Sequence, residues 1–340
     1  MNKPLPLFLG ILSITIFACL GCGGYDNYGN GHERESDILK RPLFTTINDS
    51  IRQYPRDASL YLRRAMLLSR NDAHEIANRD YEKSWELNAS KETALQLAAN
   101  LAIIGKAAER LNLLQDCIQK FPMAPEFKRL MGEAYIEAGK SKMALVLYDS
   151  LLKKDSLDFE AWYEKGLLLE QLHDTVLAIV SLKKAFALQP MNTYALELAH
   201  MYAETSNPMA LEICEEVISK DASRELIDPF FIKGIYYANT QQYKLAIAQF
   251  DSCIRRDWKF TDAYIEKGIA FFKQKNYDEA LSTFQMAATV SNTNPDAYYW
   301  IGRCYEASNK KEEAKIYYER AAALDKNFTE AKDALRRVRG

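Results

Sequence analysis

"AYYWIGRCYEASNKKEEAKIYYERAAAL" (Ala297–Leu324) places Ala314 twelve residues after Gly302 and Tyr318 four residues further on. The same glycine recurs upstream. Gly302, Gly268, Gly234, Gly166 and Gly132 are separated in turn by 34, 34, 68 and 34 residues. At the same two offsets each earlier glycine is followed by an alanine (Ala280, Ala246, Ala178, Ala144) and a large apolar residue (Phe284, Phe250, Leu182, Tyr148). Three landmarks kept in step over five units define an internal repeat, with a degenerate copy filling the interval near residue 200. Only 14 Gly and 10 Pro occur in 340 residues, which favours helices over short strands.

A second copy, "AWYEKGLLLEQLHDTVLAIVSLKKAFALQP" (Ala161–Pro190), carries Trp162, Gly166, Ala178, Leu182, Ala185 and Pro190. The pattern resembles the tetratricopeptide repeat, a 34-residue helix–turn–helix unit. The resemblance implies an all-α fold, an α-solenoid wound as a right-handed superhelix of about eight units with terminal capping helices. The units start near Ala58, Lys91, Pro125, Phe159, Asn192, Ile227, Thr261 and Pro295, so the array runs over 58–328. The fifth has one residue fewer in its internal turn ("ETSNPMA") and a longer exit. "LFTTINDSIRQYP" (Leu43–Pro55) reads as a half-repeat within an N-terminal cap over 38–57, and 329–340 as a polar closing helix. Each unit joins two helices of about a dozen residues, and small side chains at repeat positions 8 and 20 let them approach. One unit cannot cover its own apolar face, so neighbours must stack.

The first residues read differently. Lys3 is the only charged side chain before Asp26, and Leu5 to Leu20 is almost wholly apolar. A positive start, a short apolar centre and a small-residue exit describe a signal peptide over 1–21. "ITIFAC" resembles a bacterial lipobox with Cys19 as the lipid-modified residue; "CLGC" offers a second frame ending at Cys22. Two or more acyl chains suffice for stable anchoring, whereas one is marginal. The alternative is an uncleaved membrane helix, since Pro4 to Gly24 carries no charge. A redox C-x-x-C would need a βα context to lower the thiol pKa, and none is visible. The glycine- and asparagine-rich segment within 22–37 reads as a flexible tether. The resemblance implies a lipoprotein of the bacterial envelope, at the outer membrane and facing the periplasm.

In this family the first helices line a concave groove. In units three to five the groove positions include Glu133, Glu137, Glu164, Glu170, Glu197 and Glu204; in units six to eight they include Phe231, Ile265, Ile269, Phe272, Tyr299, Trp300 and Arg303. The resemblance therefore implies a groove for a protein or peptide partner with basic and apolar residues. Phe231 and Ile265 equally suit packing between neighbouring first helices, and a solvated helix face is the ordinary reading of the glutamates. Position 9 reads Met66, Ala99, Glu133, Leu167, His200, Ile235, Ile269 and Arg303. None is the Asn with which family members hold a C-terminal carboxylate, so that specialisation is not expected.

Catalytic chemistry is not expected. The four histidines (His32, His74, His173, His200) lack zinc-ligand spacing, and neither a phosphate loop nor a G-x-S-x-G is present. No cofactor and no metal are expected. The formal net charge of −2 gives no reason for nucleic-acid binding. Cys117 and Cys253 fall at a small buried position, where cysteine acts as a small hydrophobe. The reading is a non-enzymatic scaffold that organises an envelope complex. A receptor for exported peptides and a glycan-binding module are the alternatives.

Overall fold

The computed structural model describes residues 35–223 and 225–339. Cys19, Cys22, the signal segment and most of the tether lie outside the described residues. Among those described there are 19 helices and no strand. None of these helices is long and apolar enough to cross a membrane.

Two compact units divide between Leu87 and Asn88. The first holds α1 (Glu35–Leu39), α2 (Pro42–Gln53), α3 (Ala58–Ser69) and α4 (His74–Leu87). The second holds seven helix pairs and a closing helix. Its first helices are α5 (Lys91–Ile103), α7 (Pro125–Glu137), α9 (Phe159–Gln171), α11 (Asn192–Glu204), α13 (Asp228–Asn239), α15 (Thr261–Lys273) and α17 (Pro295–Ala307). Their partners are α6 (Ala107–Lys120), α8 (Ser141–Lys154), α10 (Thr175–Leu188), α12 (Met209–Lys220), α14 (Tyr243–Arg256), α16 (Tyr277–Val290) and α18 (Lys311–Leu324), and α19 (Thr329–Arg339) closes the chain.

Local chemistry starts and stops these helices. Asp57, Ser90, Asp158, Asp174 and Asn294 accept backbone N–H groups of the first turn. Pro125 and Pro295 occupy first positions, where their missing N–H costs nothing. In all eight helix pairs one turn residue takes a positive φ between 56° and 71°: Asp72, Gly105, Gly139, His173, Ser206, Gln241, Lys275 and Asn309. The next N–H then reaches back five residues, as Lys140 N to Tyr135 O (2.7 Å) and Asn276 N to Phe271 O (3.0 Å), which closes the helix end. Only two of the eight are glycine, so most of these turns bear the left-handed penalty. In the fifth pair the missing residue comes out of the first turn of α12, which is tightened by Ala210 N to Asn207 O (3.1 Å) and Leu211 N to Pro208 O (2.9 Å).

The repeat landmarks are the core. Ala144, Ala178, Ala246, Ala280 and Ala314 are fully buried, as are Tyr148, Leu182, Phe250, Phe284 and Tyr318. The position-8 glycines exist because those large side chains lie directly on them. A methyl carbon at Gly132 would sit 2.6 Å from the Tyr148 ring, and one at Gly268 would strike Phe284 at 2.5 Å. Cys117 and Cys253 are buried, and burial pushes their thiols up to about 11 and about 12.

Within the second unit successive first helices touch: α7 with α9, α11 with α13, α13 with α15, and α15 with α17. Among the described residues no two successive second helices come into comparable contact. The first helices therefore lie on the shorter, inner side of the stack.

Candidate functional site: the inner face of the first helices

The sequence-derived groove residues lie on α7, α9, α11, α13, α15 and α17, but their environments differ. Phe231 is 2% exposed and packs between Phe250 (5.7 Å) and Phe260 (5.1 Å). Ile265 is buried in the core shared by α15, α16 and α17. Trp300 is 8% exposed, stacked on Phe284 at 5.6 Å with its edge region against Phe272 and Tyr299. These three side chains are used for packing.

Ile269, Phe272 and Tyr299 are half-buried around the same cluster. The chain places its own cation over them. The Arg303 guanidinium lies 5.4 Å from the Phe272 ring, 5.5 Å from Trp300 and 5.8 Å from Tyr299, and donates to the Tyr299 hydroxyl at 3.0 Å. The aromatic end of the inner face is thus closed by a cation–π contact within the protein.

The acidic residues divide into two groups. Glu133 and Glu137 on α7 are both held by Arg110, which projects from α6, is 2% exposed, and donates at 3.1 Å and 2.7 Å respectively. Arg129 binds Asp158 at 3.0 Å and also pairs with Glu160. Further along, the basic group beside Glu170 and Glu204 is His200: Nδ1 lies 3.6 Å from Glu170 and Nε2 3.9 Å from Glu204, both too long for hydrogen bonds. Burial disfavours the charged ring of His200, but Glu170, Glu204 and Glu197 outweigh it and raise its pKa.

Glu164 and Glu197 have no cationic partner in an ion pair among the described residues. The same holds for four acids that sequence reasoning had not singled out: Asp228 on α13, Asp262 and Glu266 on α15, and Asp296 on α17. Burial, then neighbouring carboxylates, push Glu164 and Glu266 up to about 8. Glu197 rises to about 7, through burial and then Glu170 and Asp228, against the pull of His200. Asp296 rises to about 6 through burial and then Asp262. A signal was present in the spacing: Asp228, Asp262, Asp296 and Glu330 follow one another at 34 residues, all at repeat position 2.

Among the described residues no three His, Cys, Asp or Glu side chains converge as metal ligands would. On the second helices Val146, Val176, Leu177 and Val180 are exposed, a feature of α8 and α10 that the repeat pattern does not require.

Models of the tetratricopeptide repeat match residues 129–191 and 233–295, and another matches 271–338. Superkiller protein 3 of Schizosaccharomyces pombe is 26% identical over 201 residues, covering 55% of this chain and 14% of that protein. The chain spans less than half the length of the curated relatives it matches. Among solved structures, a tetratricopeptide repeat protein from Parabacteroides merdae ATCC 43184 superposes with a TM-score of 0.52 at 16% identity, covering 83% of this chain and 99% of that one. PilW, a type IV pilus biogenesis factor, superposes at 0.53 and 16% identity over 62% of this chain and 98% of its own. Stacked helix pairs, glycines pressed by the following helix and these matches agree: the chain carries tetratricopeptide repeats, the protein-interaction modules of an α-solenoid.

Proposed function

We propose that this protein is a non-enzymatic scaffold, lipid-anchored at a bacterial envelope, that holds a protein or peptide segment against the inner face of its first helices. The observation that carries the reading is the state of that face. Among the described residues the buried Tyr163 hydroxyl on α9 and His200 ring on α11 have no hydrogen bond from the chain, and Glu266 on α15 has no cationic partner. Phe231 and Trp300, meanwhile, are taken up in packing. Envelope anchoring rests on the apolar opening run and on Cys19, with Cys22 as the alternative attachment point.

Photocrosslinking in intact cells tests both parts. A crosslinkable residue at Leu196 on α11 should capture a partner, and one at exposed Lys183 on α10 should not. Capture from Lys183 alone would overturn the inner-face reading. Palmitate labelling should vanish in Cys19→Ser, and labelling that survives loss of both cysteines would remove the anchor.

A further inference from the structure

The inner face carries more carboxyl groups than the chain pairs with cations, and those left over neighbour one another. Glu197 feels Glu170 and Asp228; Glu266 feels Glu204, Asp262 and Asp296; Asp296 in turn feels Glu330 on α19. Each carboxylate is thus near enough to act on the next, from α9 through α19. A run of acids on an open surface would be an ordinary solvated face. Asp228, Asp262 and Glu330 are exposed, but at the α9 and α11 end two buried polar side chains stand among the acids. Tyr163 is 8% exposed, has no hydrogen bond to its hydroxyl, and is acted on by Glu197, Glu170 and Glu164. His200 is 5% exposed, and neither ring nitrogen has a hydrogen bond, though Glu170 and Glu204 stand on either side. Buried polar atoms are ordinarily paired, so these mark a place where hydrogen-bonding groups from another molecule fit.

We propose that the inner face of α9, α11, α15 and α17 binds a polypeptide segment bearing several lysine or arginine side chains, which pair with Glu170, Glu197, Glu204, Glu266 and Asp296. An ammonium or guanidinium group donates to the carboxylates, and the Tyr163 hydroxyl oxygen accepts from the same group. This rests on the inner-face reading above and narrows its partner to a basic one. Apolar anchors are not required, since Phe231, Ile265 and Trp300 are already packed and Arg303 covers Phe272 and Tyr299. Packed helices lie ~8–10 Å apart, and an extended chain advances ~3.3 Å per residue. A cation at about every third position of an extended segment therefore meets one first helix after another.

The test uses the full-length protein and a fluorescent synthetic peptide of about fifteen residues with lysine at every third position and alanine between, read by anisotropy. The wild type should bind it saturably. The triple variant Glu197→Gln/Glu266→Gln/Asp296→Asn should bind at least about tenfold more weakly, and the peptide with glutamate in place of lysine should not bind. A charge-matched control, Glu279→Gln/Glu312→Gln/Glu313→Gln on exposed second-helix positions, should bind within about twofold of wild type. Circular dichroism checks that each variant remains helical. Equal binding by wild type and triple variant, equal loss in the control, or no binding by the wild type would each overturn the proposal. Crosslinks from Leu196 without lysine-peptide binding would leave the inner-face reading standing and remove only the basic partner.

Discussion

The inner faces of α7 and α11 both carry glutamates at groove positions, yet one is internally neutralised and the other is not. On α7, Arg110 reaches in from the preceding second helix and satisfies Glu133 and Glu137. On α11, Glu197 has no such cation, and the nearest basic group is the buried ring of His200. The same contrast separates Arg129 with Asp158 on the α9 side from Glu266 with Asp262 and Asp296 further along. Residue type at a groove position therefore does not decide its role. A carboxylate bound by a buried guanidinium holds the stack together, while one pressed only by other carboxylates weakens it until something cationic arrives.

The largest effect lies on the neutralised side. Arg110→Met removes a buried cation from two carboxylates that keep some exposure and can rehydrate, so the loss of these charge-assisted hydrogen bonds costs about 1.5–3 kcal/mol. Urea unfolding should show this loss, and a change below ~0.5 kcal/mol would mean that the pair does not hold α6 to α7.

A smaller effect of opposite sign is expected on the other side. The folded state favours the protonated form of Glu266, raised from 4.5 to about 8 by burial and then by Glu204, Asp262 and Asp296. Stability from this group is full below about 4.5 and is lost as pH climbs through about 8. Glu266→Gln should therefore stabilise the protein at pH near 8.5 and do little near 4. Partial exposure tempers the gain to ~1 kcal/mol, or roughly 2–4 °C in Tm for a domain of this size. Equal Tm values for variant and wild type across that range would dissolve the contrast between the two regions.

Much of the fold was legible in the sequence because close packing leaves few choices. Gly268 and Ala280 must be small where Phe284 crosses, and that demand repeats at a fixed interval. The turn conformation was not legible, because His173 and Lys275 adopt a positive φ that their residue types do not advertise. The candidate site was readable only in part. Glu197 and Glu204 stood out by register, but whether Trp300 faces a partner depends on the Phe284 ring beneath it. Arg110 lies on a second helix, outside any groove register, so its hold on Glu133 could not be foreseen. Asp262 and Asp296 were within reach, since their spacing is that of the repeat itself.

Among the described residues Glu197, Asp228, Asp262, Glu266 and Asp296 have no lysine or arginine partner, whereas Glu306 on α17 is held by Arg337. A site-resolved NMR titration of the Glu266 side-chain carboxyl tests that difference most sharply. A midpoint near 8 is expected in the free protein, falling when the lysine peptide is added. A midpoint at the ordinary value of 4.5, unmoved by the peptide, would contradict it.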